Sequence, residues 1–343
     1  MKFRGKCLFW IVSGICVLLF FLSVLFIGAV EIPVSDVINI LCGHASEKPY
    51  WSTIILQTRL PMAITALSAG MTLSAAGLMM QTAFSNPLAG PSVLGVSSGA
   101  SLGVALLMLG SMSGLVTIDI SESMISFGGA IAGGIVTILI LIAFSSLVRN
   151  NVMLLVVGIM ISYLCSSLIS LLNYFSPAEG IRSYLFWGLG SYTGLQLEGS
   201  LWFLMISIIC CNSCIFTVKP LNALLAGDRY AESVGYSVKQ VRGCILLLSG
   251  VLVAVPTAFC GPVGFIGLVV PHLARMILRT SNHIILMPSA ILLGGALSLF
   301  CALLGVLPSE RFGVLPINVI TPFIGVPVII YLLINRKKIL YMQ

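Results

Sequence analysis

The stretch GFIGLVVPHLARMILR, residues 264–279, places a proline, a histidine and two arginines inside an otherwise apolar run. A proline inside a helix lacks a backbone N–H, so Pro271 leaves the carbonyl of Gly267 without its usual partner. A freed carbonyl at membrane depth must be satisfied by a neighbouring helix or a polar cavity. His272 and Arg275 share one helix face at i and i+3. We therefore predict a helix break at Pro271, with a polar face beside it.

The same face has a second interpretation. Arg279 extends it by one more turn, and arginines near a helix end often snorkel to the membrane surface. Ordinary anchoring, together with a histidine that hydrogen-bonds to a neighbour, would explain these residues equally. A single histidine without a second one at ligand spacing does not indicate a metal site.

The composition outside this stretch indicates an integral membrane protein. Of the 343 residues, 59% are hydrophobic and 8% are charged, whereas soluble domains carry about 25% charged residues. No polar block is long enough to form a second folded unit. We expect one transmembrane domain over residues 1–343, all-α, with lipid as its solvent.

A membrane-spanning helix needs about 20 apolar residues, and ten runs qualify or nearly do. The N-terminal run is longer than the apolar core of a signal peptide, so it is interpreted as the first span. The predicted spans cover residues 8–30, 60–82, 92–110, 124–147, 152–172, 195–217, 241–259, 264–280, 286–306 and 317–335.

Charge placement predicts the orientation of this ten-helix bundle. With both termini in the cytoplasm, 13 of the 17 basic residues lie on the inside and 4 on the outside, as the positive-inside rule expects. The net charge of +7 therefore reflects membrane topology, and nucleic acid is not an expected partner.

The longest inside loop, about 218–240, is too polar to span and is rich in helix-forming residues. We predict two short helices, broken near Gly227 and Gly235, and a docking surface on the cytoplasmic side. A weak inverted repeat accompanies this topology: Thr-Ala-Phe precedes a Pro/Gly-rich break at residues 82–84 and again at 257–259.

Several functions are excluded or disfavoured. No phosphate-binding GxxxxGK[ST] loop occurs, so we expect no ATP or other cofactor on this chain. Three histidines provide no catalytic constellation, and the chain is not expected to be an enzyme. Cys210, Cys211 and Cys214 share a helical face and are of the ligand type that binds a soft metal. We interpret them instead as small hydrophobic residues of a membrane helix, and no metal is predicted. No acid lies deep in a span, which disfavours the alternative of an ion-gradient-driven secondary transporter.

Three segments identify a family. RLP followed by SAAGLMMQTAFSNPLAGPSVLGVSSGASLG, then LLAGDRYAESVGYS, and AFCGPVGFIGLVVPHLAR followed by LPINVITPFIGVPVIIYLL closely resemble the FecCD-type permeases. These are the membrane subunits of ABC importers for iron–siderophore complexes, haem and cobalamin. The resemblance covers about residues 8–338 and implies a homodimer of ten-helix subunits in the bacterial cytoplasmic (inner) membrane. Its implied partners are two ATP-binding cassette subunits, which hydrolyse ATP, and an extracytoplasmic substrate-binding protein.

The resemblance also implies roles for individual residues. The residues that resemble the family's ATPase-coupling helices are Gly227, Asp228, Ala231, Glu232 and Gly235. The cytoplasmic gate of the path falls to Asn86, Leu88, Asn150 and Asn151, and Pro271, His272 and Arg275 match the family's PH…R motif at the cytoplasmic side.

Docking of the binding protein is the least conserved part of the resemblance. Arg59 matches a family arginine at the outer start of the second span, but Met62 replaces the second arginine of that motif. Near the ninth span Leu307 and Val314 stand where the family carries charges, which leaves Arg311 nearby as the second docking residue.

Overall fold

The computed structural model describes residues 3–44, 48–90, 92, 94–112, 122–147, 151–308 and 313–334. Within these ranges the secondary structure is helical. The helices are α1 Phe3–Phe26, α2 Val34–Leu41, α3 Pro49–Ile54, α4 Leu60–Ala83, α5 Val96–Met112, α6 Glu122–Leu147, α7 Asn151–Phe175, α8 Ala178–Gly188, α9 Leu197–Ser213, α10 Ile215–Leu225, α11 Asp228–Ser233, α12 Val238–Cys260, α13 Ile266–Leu278, α14 His283–Val306 and α15 Ile317–Ile334. A π-helical turn, Ile55–Arg59, joins α3 to α4.

Each predicted span corresponds to one of these helices, with shifted ends. By length and apolar composition, six of the described helices can cross a membrane, and a seventh span results if α9 and α10, which meet at 43°, count as one. Three shorter apolar helices, α5, α13 and α15, account for the remaining predicted spans. The all-helical membrane fold is confirmed, while the ten-span count and the cytoplasmic termini stay predictions.

Helix α4 lies at the centre of the bundle. All of its residues are buried except Leu60, Leu67 and Met71, and it packs against α9, α12, α13 and α14. A helix that is apolar all round is expected to be buried, and small residues let its neighbours approach closely. At Gly70, for example, an added Cβ would lie 2.2 Å from the carbonyl oxygen of Gly294 on α14.

The same packing joins α5 to α6 through two facing GxxxG patterns. Gly99 and Gly103 lie against Gly133 and Gly129, and a Cβ added at Gly103 would meet the Gly129 oxygen at 2.0 Å. Such contact between backbones is how apolar helices associate when lipid provides no hydrophobic driving force.

Both copies of the Thr-Ala-Phe repeat lie at the end of a long helix. Thr82 lies in the last turn of α4 and Thr257 in the last turn of α12, and the next helix along the chain is shorter in both cases, α5 or α13. The loop predicted at 218–240 covers most of α10, all of α11 and the first residues of α12. The break between α10 and α11 lies at Gly227, as the sequence predicted.

Candidate coupling and gate site

Helix α11 is the short, exposed helix of the predicted cytoplasmic loop. Gly227 precedes it with φ +105° and Gly235 follows it with φ +93°, a backbone region that favours glycine. Ala231 is fully buried beneath the helix, while Asp228 and Glu232 are exposed. The glycines therefore set the angle of a helix that carries two carboxylates on the exposed surface of the protein.

Helix α11 is tied to the start of α12 by an ion pair. Nη2 of Arg242 donates to both carboxylate oxygens of Asp228, at 2.8 and 2.9 Å. The Asp228 side chain is half exposed, so the pair orients the helix more than it stabilises the fold.

The residues Asn86–Leu88 form a tight turn after α4, which we name the gate turn. The backbone N–H of Leu88 donates to Oδ1 of Asn86 at 2.9 Å, and the N–H of Asn86 donates to the carbonyl of Gln81. Ser85, just before the turn, has φ +48°. Leu88 is 44% exposed, so the turn presents an apolar side chain while its backbone is fixed to α4.

The polar face of α13 points at α4 and the gate turn. Nε2 of His272 lies 2.7 Å from the carbonyl oxygen of Pro87; because a carbonyl only accepts, Nε2 carries the proton. Nη1 of Arg275 donates to Oε1 of Gln81 at 2.5 Å, and Nε2 of Gln81 donates to the carbonyl of Leu268 at 3.0 Å. The structure thus favours a brace between helices over simple anchoring in the membrane.

Helix α13 continues through Pro271, so the predicted break at that residue is wrong. The chain turns instead at the two ends of the helix, where Phe265 has φ +68° and Arg279 has φ +48°. The helix tolerates the proline because the crowded position four residues earlier is Gly267, whose freed carbonyl lies against Gly77 of α4.

Sequence reasoning missed a second set of contacts, centred on His283. Its ring lies 2.8 Å from the hydroxyl of Thr82 on α4 and 2.9 Å from Oδ1 of Asn222 on α10. The predicted span began at residue 286, which placed this histidine in a loop. The available signal was Asn282, whose side chain accepts from the N–H of Ile284 and caps α14.

These contacts bring together side chains from α4, α10, α13 and the start of α14. We name this group the inner polar cluster: Gln81, Thr82, Asn222, His272, Arg275 and His283. The contacts around Gln81 and those around His283 therefore belong to one cluster. In the predicted topology this cluster lies on the cytoplasmic side of the bundle.

Arg59 has surroundings that do not suit docking. The residue is 6% exposed, and its guanidinium donates to the carbonyls of Leu25 at 2.8 Å, Phe26 at 3.1 Å and Val30. It also lies flat against Gly28, where a Cβ would approach Nη2 to 2.6 Å. The side chain satisfies carbonyls at the end of α1 that have no partner within the helix, which favours a structural role over contact with a binding protein.

Two of the other predicted site residues lie outside the part of the chain that the structure describes. Asn150 and Arg311 lie outside the described residues, and Asn151 is the first residue of α7. Cys211 and Cys214 are buried, and no three metal-ligating side chains converge within the described ranges.

Comparison with known proteins matches residues 15–335 to the FecCD transport family. The molybdate import system permease protein MolB of Haemophilus influenzae is 32% identical over 336 residues, 96% of each chain. The vitamin B12 import system permease protein BtuC of Salmonella paratyphi A is 34% identical over 290 residues, 83% of this chain and 84% of BtuC. A solved structure described as an inward-facing conformation of a metal-chelate type ABC transporter has 30% identity and a TM-score of 0.79, covering 97% of this chain and 98% of its own.

Proposed function

Since this chain belongs to the FecCD transport family, and is therefore an ABC importer permease whose ATPase is a separate chain, we propose that its cargo is a metal chelate. The cargo classes are a ferric siderophore, haem or cobalamin. Two copies of the chain form the path in the cytoplasmic (inner) membrane, with two ATPase subunits below and an extracytoplasmic binding protein above. The ion-gradient-driven secondary transporter remains the alternative that the experiments below must exclude.

The observation that carries the ATPase-coupled part of this proposal is the construction of α11. Its position between two positive-φ glycines, with Ala231 buried and Asp228 and Glu232 exposed, is what a rigid lever for a cytoplasmic partner requires. The gate turn lies on the same side of the bundle, and the inner polar cluster occupies the space between them.

The similarity to a metal-chelate type transporter and to a vitamin B12 permease supports the choice of cargo. Molybdate is a second candidate, because MolB matches over nearly its whole length. The two candidates differ in size and chemistry, so uptake experiments separate them.

The first experiment is co-purification of the tagged chain from its native host in mild detergent, with partners identified by mass spectrometry. A P-loop ATPase at equal stoichiometry is the expected result. Recovery of the chain alone, even after gentle crosslinking, would contradict the coupling role.

The second experiment compares a deletion strain with the same strain complemented by this chain. Uptake of ferric hydroxamate and catecholate siderophores, haemin, cyanocobalamin and molybdate is measured separately, with the metal followed by mass spectrometry. Restored uptake of one chelate supports the proposal, whereas restored uptake of molybdate alone would replace it.

A further inference from the structure

His283 is a buried side chain with partners on two different helices. It is 1% exposed and occupies the first turn of α14, between Asn222 on α10 and Thr82 on α4. Its partners lie 61 and 201 residues away in the chain. The ring therefore joins α10, the helix before α11, to the end of the central helix α4, which α10 also contacts directly.

The hydrogen-bond pattern fixes how this ring is held. Nδ2 of Asn222 donates to Oδ1 of Asn282 at 3.0 Å, which leaves Oδ1 of Asn222 as an acceptor. That oxygen receives the backbone N–H of His283 at 2.8 Å and its Nδ1–H at 2.9 Å. In the neutral ring Nε2 is then an acceptor, 2.8 Å from the hydroxyl of Thr82, whose single proton is shared between this nitrogen and the carbonyl oxygen of Leu78 at 3.0 Å. Neither side of the ring can move without breaking a buried hydrogen bond.

On one side this link leads to α11. Only Ala226 and Gly227 separate α10 from α11, and their N–H groups donate to carbonyls in the last turn of α10. Leu221 and Leu224 of α10 are buried beside Asn222. A displacement of α11 is therefore expected to reach Asn222 through packed backbone.

On the other side the link leads to the gate turn. Thr82 is followed in α4 by only one residue, and its neighbour Gln81 accepts the N–H of Asn86 through its carbonyl. Through its side chain Gln81 also receives Arg275 of α13. The end of α4, the gate turn and α13 are thus expected to respond together.

We propose that His283 is a positioning residue of the transport cycle, which transmits displacement of α11 to the gate turn through Asn222 and Thr82. This inference rests on the proposed function, because it requires an ATPase that moves α11. A histidine that only completes the packing of α14 would have the same contacts, so the test needs a readout other than stability.

The test follows the gate turn directly and needs no cargo. Leu88→Cys is introduced as an exposed reporter, and the complex with its co-purified ATPase is labelled with a maleimide with and without ATP and vanadate. Peptide-resolved mass spectrometry separates the reporter from Cys42 and Cys244, which are also exposed. His283→Leu, Thr82→Val and the exposed-loop control His44→Leu are compared in this background.

Nucleotide trapping is expected to change the labelling rate of the reporter by about fivefold or more in the parent and in His44→Leu, the range of typical coupling between sites. In His283→Leu and Thr82→Val this response is lost, while ATP hydrolysis and co-purification with the ATPase persist. Thr82→Val replaces the hydroxyl by a methyl group and so removes its bonds to His283 and to the Leu78 carbonyl within α4. It tests the link if His283→Leu does not assemble.

Three results would overturn the inference. An unchanged nucleotide response in Thr82→Val or in an assembled His283→Leu complex would show that the ring is only structural. A complex that contains the ATPase but shows no response in the parent would also overturn the inference. Absence of any co-purified ATPase, in the parent and in His44→Leu alike, would overturn the proposed function as well.

Discussion

Gly77 on α4 lies directly against the carbonyl oxygen of Gly267 on α13, so closely that a Cβ at residue 77 would be 1.6 Å from that oxygen. The oxygen is the one that Pro271 leaves without a backbone partner. The two helices therefore meet where a proline has exposed a carbonyl and two glycines have removed every side-chain obstacle. At this separation the Cα–H of Gly77 is positioned for a weak Cα–H···O contact with that carbonyl.

Gly77→Ala is expected to separate α4 from α13. Overpacking of a close helix contact costs about 1–3 kcal/mol, so the melting temperature of the purified protein should fall in a fluorescence-detected stability assay. Gly128→Ala on α6 is the matched control, because nothing lies within 4 Å of its added Cβ. Equal stability of the two variants would contradict the close contact.

Arg59→Ala is expected to destabilise the protein without lowering its affinity for the binding protein. The substitution leaves three carbonyls near the end of α1 unsatisfied, and hydrogen bonds to a charged group contribute about 1.5–3 kcal/mol each at most. Arg59→Lys should recover only part of the loss, because an ammonium lacks the forked geometry. Arg182→Ala, at an exposed arginine of α8, is the control.

The same variants decide between the two roles of Arg59. Thermal stability and affinity for the binding protein are measured together. A loss of affinity at unchanged stability would restore the docking role that the resemblance implies.

Glu232→Lys is expected to uncouple the permease from its ATPase. The side chain is exposed on α11, so reversal of its charge should leave the chain folded in the membrane while cargo uptake is abolished. Glu198→Lys, an exposed glutamate at the predicted outer side, should transport normally. Wild-type uptake by both variants would show that Glu232 of α11 is not needed for coupling to the ATPase.

Gly235→Pro tests the backbone of the same segment. Proline fixes φ near −65°, whereas Gly235 has φ +93° and donates its N–H to the carbonyl of Glu232 at 3.0 Å. The end of α11 should therefore lose its angle, and ATPase co-purification should fall. Normal uptake with bound ATPase would show that this angle is not needed.

Asn318→Ala is expected to loosen the segment that precedes α13. Nδ2 of Asn318 donates to the carbonyl of Pro262 at 2.6 Å, and its Oδ1 accepts the N–H of Gly264 at 3.0 Å. Both bonds hold the chain next to Phe265, whose positive φ is unfavourable for a bulky residue. Hydrogen exchange over residues 261–265 should accelerate about tenfold, as expected for the loss of roughly 1.4 kcal/mol of local protection. Asn212→Ala, which loses only a bond within its own helix, should leave it unchanged.

Much of the fold was predictable because a helix that crosses a lipid bilayer needs a continuous run of apolar residues, and such a run is visible in the local sequence. Runs of apolar residues predicted every long helix, and Gly227 and Gly235 predicted the two ends of α11. The helix ends were less accurate, as at residue 283, because a cap depends on a single side-chain hydrogen bond.

The interpretation of individual polar residues was less successful. Arg59 and His283 looked like a docking charge and a loop histidine, and both are buried. Their partners are carbonyls and side chains 29 to 201 residues away, and no local pattern contains such contacts.

The sequence by itself determined that this chain is a helical membrane protein of the FecCD transport family, with a short helix between Gly227 and Gly235. Hydropathy, proline and glycine act over one or two helical turns, so they can be read along the chain. The tertiary structure decided which polar groups are exposed, which are satisfied, and that α13 continues through Pro271. These outcomes depend on whether a neighbouring helix brings a glycine, a carbonyl or a hydroxyl within bonding distance, and only the packed bundle fixes that.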